Sequence, residues 1–287
     1  MTREIDGWEL AYYGRMRDLY YLPQHPSLVL MVASDRVGAF DHVLEPGIPG
    51  KGELLAQLNR WWFGQLTTVQ NHLVDGPAPN AVAARSMVVR SLTMFPIECV
   101  VRGHLAGSAW AEYQRSRSIC GLALPERFEF GDRLLSPIYT PAFKAPLGEH
   151  DETITFERTA DLVGARTAQN LRELSPEVYS RAAAIAETHG ILIADTKFGF
   201  GIDSDGTVIL ADEVLTSDSS RYWDAPARHR GERHDGFDKQ VVRNWLSANG
   251  DPAIAAASRR RSRADHPTIL RTDHSTHRLS HRSHANC

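Results

Sequence analysis

Two apolar runs joined by a polar link, ILIADTKFGFGI and TVILADEV around Asp203-Ser204-Asp205-Gly206, constrain this chain more than any other stretch. Short apolar runs bounded by Asp and Gly read as buried strands, and the Asp-Gly link reads as a hairpin turn. Side chains alternate faces along a strand, so Asp195, Lys197 and Gly199 share one face while Ala194, Thr196 and Phe198 take the other. A two-residue turn at Asp205-Gly206 sets Gly199 opposite Asp212, and a longer turn sets Lys197 opposite Asp212. In either register Asp195, Lys197 and Asp212 gather on one face. Two carboxylates beside an ammonium can hold Mg2+ through hard oxygen ligands while the lysine meets phosphate or carboxylate oxygens. An isolated Asp-x-Lys is more often a solvated surface pair. Here the bracketing ILIA and VILA argue for a buried strand pair.

The rest of the chain supplies paired strands and amphipathic helices. Trp8–Tyr21 reads as two short strands around Gly14, and SLVLMVASD reads as a buried strand. From Gly52 to Thr67, Leu54, Leu55, Leu58, Trp61, Trp62 and Leu66 recur at helical spacing. SMVVRSLTMFPIECVVRG is a second strand-like run that passes into a helix over Ser108–Arg115. Residues 122–152 hold four prolines and read as loop-rich. Asp161–Gly190 is helical in pattern, with Ser175-Pro176 as the start of a further helix, Ser as N-cap and Pro in the first turn. Helices and paired strands together predict a mixed α/β or α+β architecture.

Charge narrows the function. The 287 residues carry a formal charge of −3, unevenly spread. Ser247–Cys287 has seven Arg against three Asp, an excess of four positive charges that leaves the body before it near −7. Such a body is unsuited to general nucleic-acid binding, which calls for a basic surface. The Arg/His/Ser-rich segment 247–287 lacks aliphatic periodicity and is expected to be disordered. Cys99, Cys120 and Cys287 form no CxxC pair, and no run approaches the roughly 18 apolar residues of a membrane span. MTREIDGWEL lacks an apolar signal core. The expectation is a cytoplasmic protein acting on small molecules, with no nucleic-acid or membrane partner.

Eight motifs in order then point to one family. Gly14–Tyr20 (GRMRDLY), Ala33–Asp41 (ASDRVGAFD), Ile48–Gly52 (IPGKG), Phe95–Gln114 (FPIECVVRGHLAGSAWAEYQ), Thr140–Glu152 (TPAFKAPLGEHDE), Ala194–Gly201 (ADTKFGFG), Asp212–Trp223 (DEVLTSDSSRYW) and Phe237–Gln240 (FDKQ) resemble the motif series of SAICAR synthetase. The resemblance spans about residues 11 to 246. It implies a two-lobed α+β fold with ATP in the cleft. The expected divisions are a β-rich lobe over residues 1–95, a larger lobe over 96–246 and the tail from 247 to 287. It also implies an ATP- and Mg2+-dependent ligase that joins a carboxylated aminoimidazole ribonucleotide to L-aspartate through an acyl phosphate.

Carried over by position, the turn with Gly14, Arg15 and Arg17 covers the ATP phosphates and Glu98 reads the adenine. Arg15 stands where the family has Lys. Arg102, Ser108 and Arg221 grip the ribonucleotide phosphate, as forked guanidinium donors and a hydroxyl suit. Asp195 and Lys197 meet the substrate carboxylate and the transferred phosphoryl group, and Asp212 holds Mg2+. Ser34, Asp35 and Arg36 lie near the reacting groups, while Lys144, His150 and Asp151 belong to a loop that closes on the amino acid.

Three departures from the family pattern stand out. The family's Glu in Lys-Phe-Glu-Phe-Gly is Gly199 here, its Ser in SDRxSAFD is Gly38, and the Arg/His/Ser tail replaces further helical segments. Gly38 and Gly199 keep two other readings open: a sister ligase joining a related carboxylate to an amino acid, and a nucleotide-binding homologue weakened in turnover.

Overall fold

The computed structural model describes residues 4–39, 42–76, 78–144, 151–232 and 236–249. In chain order its elements begin with β1 (Glu9–Tyr13), β2 (Arg17–Leu22), β3 (His25–Ala33), β4 (Val37–Ala39), β5 (His42–Leu44), α1 (Lys51–Gln65) and β6 (Ser86–Arg90). There follow β7 (Thr93–Met94), β8 (Ile97–His104), α2 (Gly107–Ser116), β9 (Ser118–Ile119), β10 (Leu122–Ala123), β11 (Arg133–Tyr139), β12 (Ala142–Phe143) and β13 (Glu152–Thr153). The described chain closes with α3 (Phe156–Val163), α4 (Ala165–Thr188), β14 (Ile191–Ile202), β15 (Val208–Ala211), β16 (Ser220–Asp224), α5 (Ala225–His229) and α6 (Gln240–Asn249).

Two sheets organise these elements. The small sheet runs β1-β2-β3-β6, and the larger one is built on β8 and β14, with β7, β11, β12, β13, β15 and β16 attached. SMVVRSLTMFPIECVVRG is therefore three strands in two sheets. β6 closes the small sheet at Arg90, while β7 at Thr93 already pairs with β14. Pro96 has no N–H to donate, which separates β7 from β8.

Helix α1 joins the two sheets. Leu55, Ala56, Trp62 and Phe63 are buried, whereas Leu54 is 68% and Trp61 41% exposed, so the packed face is rotated from the one the Leu54/Trp61 pattern suggests. Trp62, Phe63 and Leu66 enter one core with Met31, Met87 and Val89 of the small sheet and Phe198, Phe200 and Leu210 of the large one.

Two other sequence expectations need correction. Ser175-Pro176 starts no helix, because α4 runs unbroken through Pro176; the break falls at Gly164, whose φ of 85° lies in the left-handed region. The buried Ser175 hydroxyl bonds the Leu171 carbonyl inside that helix. The loop-rich span after residue 122 also holds β11, which pairs with β8. At the other end, α6 extends to Asn249, and the tail beyond it lies outside the described residues. No helix among the described residues is long and apolar enough to cross a membrane.

Candidate active site

A cleft of about 510 Å3 opens between the β1–β2 turn and the exposed face of the large sheet. Gly14, Arg15 and Arg17 line it from the turn, and Gly38 from β4. Glu98, Lys197 and Gly199 line it from β8 and β14, and Lys144, Asp151 and Asp212 from the segments beside them.

The hairpin register fits neither sequence alternative. Gly199 pairs with Ala211 and Ile202 with Val208, so five residues, 203–207, make the turn. The Asp203 carboxylate accepts the N–H groups of Asp205 and Thr207, and Gly206 takes φ 82°. By alternation Asp212 would then face away from Gly199. It does not, because Asp212 turns to φ 66° directly after β15. A Cβ on Gly199 would lie 2.8 Å from the Asp212 Cβ.

Asp195, Lys197 and Asp212 do share this side of the sheet, but each has its own partners. At one end, the Asp195 carboxylate accepts from Arg102 at 3.1 Å and Arg221 at 3.0 Å. Arg102 also donates to the Thr140 hydroxyl at 3.0 Å and to the Ser108 hydroxyl at 3.2 Å. Ser108 sits inside α2 rather than capping it, since the N-cap is Ala106. Gly107 has φ 56°, and a Cβ there would come 2.6 Å from an Arg221 guanidinium nitrogen, so glycine lets Arg221 lie against the start of α2. Two guanidiniums against one carboxylate, beside a helix N-terminus, leave a net positive cradle for an anion.

In the middle of the sheet face, the Lys197 ammonium bonds Glu98 and, at 3.1 Å, Asp151. Burial works against its charge, but the two carboxylates outweigh it and raise the pKa. At the other end Asp212 meets Arg17 at 2.7 Å and Lys144 at 3.2 Å. Burial opposes ionisation there too; Arg17 and then Lys144 overcome it and hold the carboxyl down to about 2. Arg17 also reaches Glu213 at 3.1 Å.

Ser34, Asp35 and Arg36 do not line the cleft. Ser34 and Arg36 brace the turn that does. The Ser34 hydroxyl donates to the Met16 carbonyl, and Arg36 donates to the carbonyls of Gly14 and Arg15 and to Asp18. Asp35 accepts the Gly52 N–H at 2.9 Å and pairs with Arg85. His150 lies outside the described residues.

Sequence reasoning missed a buried triad. The Asp218 carboxylate, 1% exposed, meets Lys51 at 2.6 Å and Lys239 at 3.6 Å. Burial lowers the Lys239 pKa. All three residues stand in motifs singled out above (IPGKG, DEVLTSDSSRYW and FDKQ), and their recurrence there was the available signal. Asp238 fixes the last of these by accepting the N–H groups of Tyr222 and Gln240.

Comparison with known proteins gives this site a family. The SAICAR synthetase family profile matches residues 10–259. The phosphoribosylaminoimidazole-succinocarboxamide synthase of Leifsonia xyli subsp. xyli is 58% identical over 277 residues, covering 88% of this chain and 93% of that protein. The enzyme of the same name from Thermobifida fusca is 49% identical over 250 residues, covering 85% and 81%. Among solved structures, SAICAR-synthase from Saccharomyces cerevisiae complexed with SAICAR superposes with a TM-score of 0.77 at 36% identity, covering 91% of this chain and 94% of the yeast chain. A SAICAR synthetase in complex with ADP superposes at 0.67 and 26% identity, covering 90% and 99%. The chain belongs to the SAICAR synthetase family.

Proposed function

We propose that this chain is an ATP-dependent ligase of purine biosynthesis, joining a carboxylated aminoimidazole ribonucleotide to L-aspartate as an amide. The observation that carries the reading is the order of charged groups along one sheet face: an anion cradle at Asp195, an ammonium at Lys197 and a carboxylate between two cations at Asp212. A ribonucleotide phosphate fits the cradle of Arg102, Ser108 and Arg221, where the Arg102–Asp195 and Arg221–Asp195 pairs keep both guanidiniums fixed. ATP phosphates fit the opposite end, under the turn with Arg15 and Arg17, and Glu98 lies on the cleft wall beside them.

The chemistry then follows from placement. The γ-phosphoryl group passes to the ribonucleotide carboxylate, ADP leaves, and the aspartate amine displaces phosphate from the acyl carbon. Lys197 stabilises the charge on the oxygens in transit, and Lys144 and Asp151 border the place for the amino acid. Charges already fixed by their pairings act without reorganising, and the two grips supply proximity.

Mg2+ fits this donor set as an ion carried by ATP. Such ions keep waters and phosphate oxygens and take one or two carboxylates. Asp212 offers one, and Gly199 beside it offers none. No cluster of three His, Cys, Asp or Glu suited to a metal occurs among the described residues. When bound, the ion would neutralise polyphosphate charge.

Relatives 58% and 49% identical that carry the purine-pathway name support this substrate over a related carboxylate, despite Gly38 and Gly199. Soluble substrates of this kind suit a cytoplasmic enzyme. The test offers purified protein the aminoimidazole carboxylate ribonucleotide, ATP, Mg2+ and aspartate, following phosphate release and the amide product. Product formation that Lys197→Ala and Asp212→Ala both abolish is expected. Turnover only with a different heterocycle or amino acid refutes the reading.

A further inference from the structure

We propose that Arg36 is a positioning residue for ATP: it draws the carbonyls of the β1–β2 turn away from the cleft, so that polyphosphate meets none of their oxygens. The proposal rests on the reading that ATP phosphates lie under that turn, and it moves Arg36 from among the reacting groups to behind them.

The turn is tightly closed. The Gly14 N–H donates to the Arg17 carbonyl at 3.0 Å, and a Cβ on Gly14 would come 2.4 Å from that oxygen, which leaves room for glycine alone. Residues around it then alternate in the side they serve. Tyr12, Arg17 and Leu19 line the cleft, while Tyr13 and Asp18, paired across β1 and β2, take the other face. Arg36 lies on that far face. Its guanidinium sits 4.3 Å from the centre of the Tyr13 ring and meets the Asp18 carboxylate through Nη2 at 2.6 Å and Nη1 at 3.4 Å.

The same guanidinium reaches the backbone. Nη2 donates to the Gly14 carbonyl at 2.9 Å and Nε to the Arg15 carbonyl at 3.0 Å. The Met16 carbonyl accepts from the Ser34 N–H at 2.9 Å and from the Ser34 hydroxyl at 2.7 Å. With the Arg17 carbonyl closing the turn, all four carbonyls from 14 to 17 are bonded, and neither Ser34 nor Arg36 lines the cleft. A carbonyl oxygen carries partial negative charge, so one aimed at a triphosphate would repel it. Drawing all four aside keeps the cleft side of the turn clear of them, beside Arg15 and Arg17. Arg36 can do this because one planar fork offers five donors, while Asp18 balances its charge. Its own base is fixed as well. The Arg36 N–H donates to the Ser34 hydroxyl at 3.3 Å, and the Asp35 carbonyl accepts the Ile48 N–H at 2.8 Å. The Asp35 carboxylate, bonded to the Gly52 N–H and paired with Arg85, ties the segment to α1.

The test measures MgATP, MgADP and AMP affinities by calorimetry, with thermal unfolding alongside, for Arg36→Met and Arg36→Lys in the full chain. Methionine removes every donor. Lysine keeps the charge against Asp18 but cannot fork onto two carbonyls. Loss of two backbone hydrogen bonds should weaken MgATP binding at least about ten-fold in Arg36→Met. The loss should be smaller for MgADP and under about two-fold for AMP, because fewer phosphates reach the turn. Arg36→Lys should follow the methionine variant rather than wild type. Equal losses for all three nucleotides would overturn the proposal and leave Arg36 a folding residue; wild-type affinities in Arg36→Lys would overturn it and leave a counter-charge. A fall in kcat with the three affinities unchanged would overturn it too, by placing Arg36 at the reacting atoms. If Arg36→Met does not fold, Arg36→Lys and Ser34→Ala carry the test. Ser34→Ala removes one Met16 bond and should cost about three-fold in MgATP affinity with AMP unchanged; an equal loss for AMP refutes the idea. Arg17→Met checks the underlying reading separately, which fails if MgATP affinity stays at the wild-type value. The crystal structure of Arg36→Lys then judges the positioning role, since Gly14 and Arg15 carbonyls still drawn away from the cleft would overturn it.

Discussion

Gly199→Glu puts a second carboxylate beside Asp212, and the structure sets its cost. The backbone at 199 accepts any residue, but a Cβ there would lie 2.8 Å from the Asp212 Cβ and 3.5 Å from its Oδ2. The first contact is shorter than real Cβ atoms tolerate and involves no flexible chain end, so strand or turn must give. Overpacking of this kind costs about 1–3 kcal/mol. Charge adds a second contribution: two carboxylates about 4 Å apart repel by about 4 kcal/mol at an effective dielectric of 20. Arg17 and Lys144, already paired to Asp212, attract the new charge by a comparable amount. The steric cost therefore decides, and about 2 kcal/mol lowers Tm by about 4–8 °C in a chain of this size. Scanning fluorimetry without metal should show that fall in Gly199→Glu and a similar one in Gly199→Ala. Adding Mg2+ and ATP should recover more in the glutamate variant than in wild type, because a divalent ion bridges the paired carboxylates. A Gly199→Ala variant as stable as wild type would refute the steric argument, and equal recovery in all three would refute the electrostatic one.

Other perturbations follow from the same geometry. Arg102→Ala leaves Asp195 with Arg221 alone and removes the Ser108 contact, so KM for the ribonucleotide should rise at least about ten-fold with KM for ATP little changed; steady-state kinetics with each substrate varied checks this. Lys51→Met strips the 2.6 Å partner from an almost fully buried Asp218 and should destabilise by about 3 kcal/mol in urea titrations. His104, buried against Trp223, is held down to about 4 by burial first and then by Arg133 and Arg228. The unfolded chain takes up that proton near the ordinary histidine pKa and the folded one only near 4. Stability from this group is full above about pH 6.5 and lost as pH falls toward 4. His104→Phe should flatten that acid limb in denaturation curves taken from pH 7 to 4.

The sequence made the hairpin legible but not its register. Apolar runs and an Asp-Gly turn are local signals, whereas turn length depended on Asp203 folding its carboxylate back onto two N–H groups. A one-residue difference moves every cross-strand pair, and only the positive φ at Asp212 returned that side chain to the cleft. Residue types at the site were readable because their motifs are contiguous. Their partners were not: Lys197 reaches Glu98 and Asp151 across 99 and 46 residues, and Asp218 gathers two lysines from motifs far apart in the chain. Ser175-Pro176 misled because local propensity favours a new helix there, while packing of Leu171, Val178 and Tyr179 in one core carries α4 through the proline.

Strand β14 also works as a ruler. Asp195, Lys197 and Gly199 stand at alternate positions on one face, and a strand advances about 3.3 Å per residue, so the cradle at Asp195 and the gap beside Asp212 are separated by about 13 Å. A molecule must reach from one mark to the other to be held at both. On the proposed reading, a heterocyclic carboxylate without its sugar phosphate is too short to span both marks, and would be held at the reacting end alone.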